Sequence, residues 1–97
     1  MNIKTFNFSP EKNKTLLENR EISFEEIIDA ILGQRLVDVV DHPNQIKYPE
    51  QRLFIVDMDG YVYAVPFITE NDHTVFLKTI YPTRKLTKKY KQEAGNE

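Results

Sequence analysis

Six of the thirteen cations in this chain fall between residues 78 and 91: Lys78, Arg84, Lys85, Lys88, Lys89 and Lys91, with no acid among them. Residues 1–77 carry the opposite balance, seven basic against thirteen acidic side chains, and Glu93 and Glu97 follow the basic stretch. The net charge of −2 therefore conceals one concentrated cationic segment able to bind an anion. If that segment is helical, Arg84–Lys88 and Lys85–Lys89 are like-charge pairs four apart, each costing about 0.2–0.5 kcal/mol in an isolated helix. A phosphate backbone or an acidic partner would offset that cost. A solvated basic face, eased by the favourable position of cations near a helix C-terminus, is the other reading.

Other residue types that could do chemistry lack companions. His42 and His73 both fall in predicted turns and read as surface residues. Asp57-Met58-Asp59 has the look of an acidic metal pair, but Asp59 belongs to a turn signal with Gly60, and no metal is expected there. Gly33, Gly60 and Gly95 are isolated, so no phosphate-cradling glycine loop is present, and no nucleophile-elbow pattern occurs. Cysteine is absent, which removes disulfides and thiolate metal sites and fits a reducing cytosol. No cofactor is expected.

The elements that must position the cations can be read in order. Ile3–Phe8 alternates as a short strand. Ser9-Pro10-Glu11 starts a helix ending near Asn19, with Ser as N-cap and Pro in the first turn. Ser23 and Glu26 form a capping box stapled by Ile22 and Ile27, opening a second helix from Phe24 to Leu32. Phe24, Ile27, Ile28, Ile31 and Leu32 make its apolar face, and Gly33 its C-terminal stop. Leu36–Val40 is a strand, followed by a turn at Asp41-His42-Pro43-Asn44 and a loop through Gln51. Arg52–Met58 and Tyr61–Ile68 are strands joined by Asp59-Gly60, a type I′ hairpin turn. Glu70-Asn71-Asp72 turns into a last strand, Thr74–Tyr81, stopped by Pro82. Pro66 suits an edge or a bulge. Residues 84–92 form a short helix with Leu86 and Tyr90 inward, and residues 93–97 are expected to fray.

Segregated helices and strands give an α+β class: a largely antiparallel sheet of about four strands, two N-terminal helices and a short C-terminal helix. The 97 residues make one domain, 1–97. No apolar run approaches the roughly 18 residues of a membrane span, and Met1–Pro10 is too polar for a signal peptide, so a cytoplasmic protein without membrane contact is expected.

Taken together, several segments resemble the BrnT-like toxins of bacterial toxin–antitoxin modules. They are Phe8-Ser9-Pro10-Glu11-Lys12, Asn19-Arg20, Ile22-Ser23-Phe24-Glu25-Glu26, Asp41-His42-Pro43, Gln51-Arg52 and Thr83-Arg84-Lys85-Leu86-Thr87 with Tyr90. The resemblance runs in order along nearly the whole chain. Two departures stand out: Asn19-Arg20-Glu21 occupies the place of a usual Lys-His-Gly, and Tyr81-Pro82 the place of small residues. The resemblance implies a RelE-like fold and an endoribonuclease that slows translation. It also implies a cognate antitoxin, typically a small ribbon-helix-helix DNA-binding protein, with DNA bound only through the complex.

Under that resemblance, cleavage by 2′-hydroxyl attack on the adjacent phosphate needs a base, cations for the developing charge and an acid for the leaving oxygen. Arg84 and Arg52 are the expected transition-state cations. Lys78 or Lys85 could serve as further cations or as base, and Tyr90 could orient RNA or donate a proton, unless it packs with Leu86. Lys88 and Lys89 are expected to bind RNA. The alternative is a non-catalytic module whose basic C-terminal segment docks an acidic partner or RNA.

Overall fold

A computed structural model describes residues 2–95, without side-chain detail beyond residue 91. The elements are β1 (Thr5–Phe8), α1 (Pro10–Arg20), α2 (Phe24–Leu32), β2 (Leu36–Asp41), β3 (Arg52–Met58), β4 (Tyr61–Asn71), β5 (Thr74–Leu77), β6 (Tyr81–Pro82) and α3 (Arg84–Gly95). The sheet runs β1-β5-β4-β3-β2, with β6 also paired to β4.

The α+β class is as expected, but the sheet is larger and mixed. β1 joins β5 in parallel, Thr5 opposite Thr74 through Phe8 opposite Leu77. A pairing between segments some seventy residues apart leaves no local pattern, which is why alternation marks Ile3–Phe8 as a strand but does not show that it joins the sheet in parallel. The expected strand Thr74–Tyr81 is also two strands. Phe67 pairs with Leu77, and Ala64 with Tyr81. Between those pairs β4 contributes residues 65–66 and its neighbour residues 78–80, a bulge of one extra residue. Pro66 accounts for it. Its carbonyl accepts from Lys78 N–H at 2.8 Å, so its ring nitrogen, with no hydrogen to donate, faces the same neighbour. The proline thus lies in a central strand and the break appears beside it.

Both N-terminal helices begin as read. Ser9 accepts from Lys12 N–H at 3.2 Å, and Ser23 accepts from Glu26 N–H at 3.1 Å while its hydroxyl donates to Glu26 Oε1 at 3.1 Å. Between the helices Glu21 adopts a left-handed conformation, φ 56°, its N–H bonded to Leu17 O. The turn that a glycine would serve is present, held by a residue that reaches it less easily. The stop after α2 is shifted similarly: Gly33 has φ −87° and Gln34 takes the left-handed position at φ 67°. Leu32, expected on the inner face, is exposed.

Buried Asn13 joins the two helices. Its Oδ1 accepts from Phe24 N–H at 2.7 Å and its Nδ2 donates to Glu25. The amide thus occupies an otherwise unpaired donor at the start of α2.

The sheet is buried on both faces. Phe54, Val56, Val65, Phe67, Val75, Leu77 and Ile80 pack with Leu16, Ile22, Phe24 and Ile27 of the α1–α2 side. Phe54 and Phe67 stack with centroids 3.8 Å apart. On the other face Leu53, Ile55, Val62 and Ala64 are covered by Val40, Tyr81, Leu86 and Tyr90. Full burial of each large apolar side chain contributes about 1.5–3 kcal/mol. The continuous apolar run of β3 follows from this, since a strand covered on both sides has no polar face. Its turn to β4 has the expected type I′ geometry, with φ 56° at Asp59 and 94° at Gly60.

Candidate nucleic-acid interface

α3 is seated by two threonines. Thr83 N–H donates to Val62 O at 3.0 Å, and Thr83 Oγ1 accepts from Leu86 N–H at 3.1 Å, capping the helix. Thr87 Oγ1 accepts from Val62 N–H at 2.9 Å and donates to Thr83 O at 2.7 Å. With Leu86 and Tyr90 packed on the sheet, these contacts fix the rotation of the helix. Arg84, Lys85, Lys88 and Lys89 consequently lie exposed on its outer side. Lys91 reaches the β3–β4 turn, its ammonium beside Gly60. The ion pairs found among the described residues, Arg35–Asp59 at 3.2 Å and Arg52–Asp41 at 3.5 Å, do not involve α3.

The seven residues singled out from the sequence fall into separate places. Arg84, Lys85, Lys88 and Lys89 share the outer side of α3. Tyr90 lies beneath that helix, packed with Leu86 and donating its hydroxyl to Asp38 Oδ2 at 3.0 Å, so it ties α3 to β2. Arg52 stands elsewhere. It has the same strand parity as Phe54 and Val56, whose side chains enter the α1–α2 core, so it belongs to the opposite face of the sheet from α3.

Lys78 sits in the bulge after β5, exposed, with its Nζ 5.4 Å from the Phe76 ring. It lines a hollow of about 280 Å³ on the α3 side of the sheet, together with His42, Tyr48, Gln51, Pro66, Thr79 and Tyr81. His42 and Tyr48 have ring centroids 4.5 Å apart. Burial pushes the Tyr81 phenol above its ordinary value. Sequence reasoning passed over His42, Tyr48 and Gln51 because a single turn histidine and a loop tyrosine carry no spacing signal; only the folded loop brings them to Lys78. Asp57 and Asp59 are engaged in the turn, Asp57 accepting from Gly60 N–H at 2.8 Å and Asp59 pairing with Arg35. Among the described residues no three acidic or histidine side chains converge as metal ligands, and no helix is long and apolar enough to cross a membrane.

No protein-family model matches the chain, and no curated protein matches it by sequence. Among solved structures it is similar to the ribonuclease toxin BrnT of Brucella abortus, with a TM-score of 0.61 and 12% identity, over 81% of this chain and 95% of that one. Identity that low carries no residue-by-residue transfer of chemistry. What carries over is architecture, and it agrees with the resemblance read from the sequence: this chain has the BrnT fold.

Proposed function

We propose that this chain is an RNA-directed toxin of a toxin–antitoxin module, acting in the cytoplasm and neutralised by a small antitoxin. The observation that carries the reading is the outer side of α3: four exposed cations on the fold of a ribonuclease toxin, in a chain that is otherwise acidic. Exposed lysines and arginines along one side of a helix suit successive phosphates of a single strand. Arg84 offers a planar fork for a phosphate in its transition state, and Lys85 and Lys78 supply further charge. The antitoxin is expected to be a ribbon-helix-helix protein that covers this side and carries the complex to DNA.

The test is production of the chain alone and with the product of whichever small reading frame neighbours its own, together with incubation of the purified, partner-free protein with RNA in excess chelator. Growth arrest relieved by the neighbour, with metal-independent cleavage, is the expected result. Normal growth at high protein levels and intact RNA would count against it.

One observation favours a second reading, binding without cleavage. Tyr90 is engaged by Asp38 and Arg52 belongs to the other face, so two of the expected catalytic groups stand apart from Arg84. Salt-dependent RNA affinity with no products would select that reading.

A further inference from the structure

The loop between β2 and β3 is built, not merely long. His42 N–H donates to Gln51 O at 3.1 Å, Tyr48 N–H to Asn44 O at 2.9 Å and Gln45 Nε2 to His42 O at 2.6 Å. Asn44 N–H donates to His42 Nδ1 at 3.0 Å. With Nδ1 accepting, the neutral ring carries its proton on Nε2, so His42 presents a donor. Lys47 Nζ lies 5.2 Å from the Tyr48 ring.

The facing wall is the bulge of residues 78–80, displaced by Pro66 and held from behind by Arg20, which donates to Ile80 O. Among the described residues no acidic side chain lines the hollow between these walls. Its lining is instead two tyrosines, a histidine, an amide, a threonine, a proline and one lysine. The volume of about 280 Å³ is just below the roughly 300–1,000 Å³ of sites for drug-sized ligands, a size for one nucleoside-sized group. Tyr81 belongs both to this hollow and to the cluster beneath α3, so the hollow adjoins the basic helix.

We propose that this hollow holds one nucleotide of a single-stranded RNA, its base against the Tyr48 and His42 rings with Gln51 at its edge, and its phosphate on Lys78. The proposal rests on the RNA-directed reading above and names where a nucleotide sits. An aromatic pair beside an amide and a cation is the set of groups that reads an unstacked base. An acidic peptide would use the lysine and leave the rings idle. Neighbouring phosphates of the same strand run on to the cations of α3.

The probes are adenosine, guanosine, cytidine and uridine 3′-monophosphates and inorganic phosphate, titrated into the full chain and followed by nuclear magnetic resonance. Expected is saturable movement of the His42, Tyr48 and Tyr81 ring signals by at least one nucleotide. Tyr48→Leu should weaken that binding on the order of tenfold, and Tyr48→Phe should retain it. Lys78→Gln should weaken both nucleotide and phosphate. The wild-type titration needs no variant, so a Tyr48→Leu chain that fails to fold leaves the test intact. The proposal is overturned if no nucleotide moves these signals, if phosphate binds as tightly as every nucleotide, or if a glutamate-rich peptide binds the hollow more tightly. RNA cleavage by the wild-type chain is scored separately. Nucleotide binding without cleavage or growth arrest keeps the hollow and overturns the toxin; cleavage without nucleotide binding there does the reverse.

Discussion

Arg20, the last residue of α1, donates a hydrogen bond to the carbonyl of Ile80 in the bulge between β5 and β6. That bond fixes the segment leading from Lys78 to Tyr81 and α3 against the first helix. Removing it in Arg20→Ala leaves a carbonyl with its partner gone, a loss of about 1–3 kcal/mol. For a domain of this size the melting temperature should fall by about 4–8 °C per kcal/mol, measured by calorimetry. Arg20→Lys should recover part of it. If Arg20→Ala melts with wild type, the bond contributes nothing to the bulge.

Lys88→Gln with Lys89→Gln should weaken RNA binding and flatten its salt dependence by about 0.7 in log–log slope for each phosphate no longer neutralised. Both residues are exposed, so stability should stay within about ±0.5 kcal/mol. Arg84→Lys keeps the charge and removes the fork, and should lower cleavage more than affinity. Affinity measured at several salt concentrations decides the matter: an unchanged slope makes the outer side of α3 a solvated face.

Arg52 offers a contrast. Its partner across the strand is Asp41, at 3.5 Å, and both are exposed. An exposed pair of this kind is worth about 0.2–1 kcal/mol. Arg52→Gln is therefore expected to change stability little and to leave RNA affinity closer to wild type than Arg84→Gln does. Equal losses from the two variants would return Arg52 to the interface.

Asn13→Leu should destabilise by about 1–3 kcal/mol, since Phe24 N–H would lose its acceptor inside the core. Asn13→Asp keeps an acceptor but sets a second carboxylate beside Glu25. It should melt between wild type and Asn13→Leu at neutral pH.

Much of the scaffold was legible and the reasons are local. Ser9-Pro10, Ser23 with Glu26, and Asp59-Gly60 each specify their own backbone, and all three act as read. β3 was legible because an apolar run bounded by turns admits few alternatives. What escaped notice depends on partners distant in sequence: β1 beside β5, Asn13 beneath Phe24, Arg20 on Ile80. The candidate site divides in the same way. The cations of α3 lie close together in the sequence and could be counted, whereas His42, Tyr48 and Lys78 come to line one hollow only through the folding of the loop between β2 and β3.

Tyr81 supplies a test at alkaline pH. Burial raises its folded-state pKa above the ordinary value of 10.0, so the fold binds this proton more tightly than the unfolded chain does. The associated stability is fully present below about 10 and is lost as pH rises through the folded-state value. Tyr81→Phe should remove that alkaline decline, followed by denaturant midpoint against pH. A variant declining as wild type does would assign the loss to other groups.

The cover over Leu53, Ile55, Val62 and Ala64 has a consequence for how the charge of α3 can be removed. Its basic helix is also the roof of half its sheet, so deleting α3 uncovers two central strands along with removing the cations. A truncated product would be a target for proteolysis instead of a folded chain lacking only its basic helix. Loss of the basic surface and loss of the protein are then a single event, and a folded version without that surface must come from substitutions on the outer side of α3, one charge at a time.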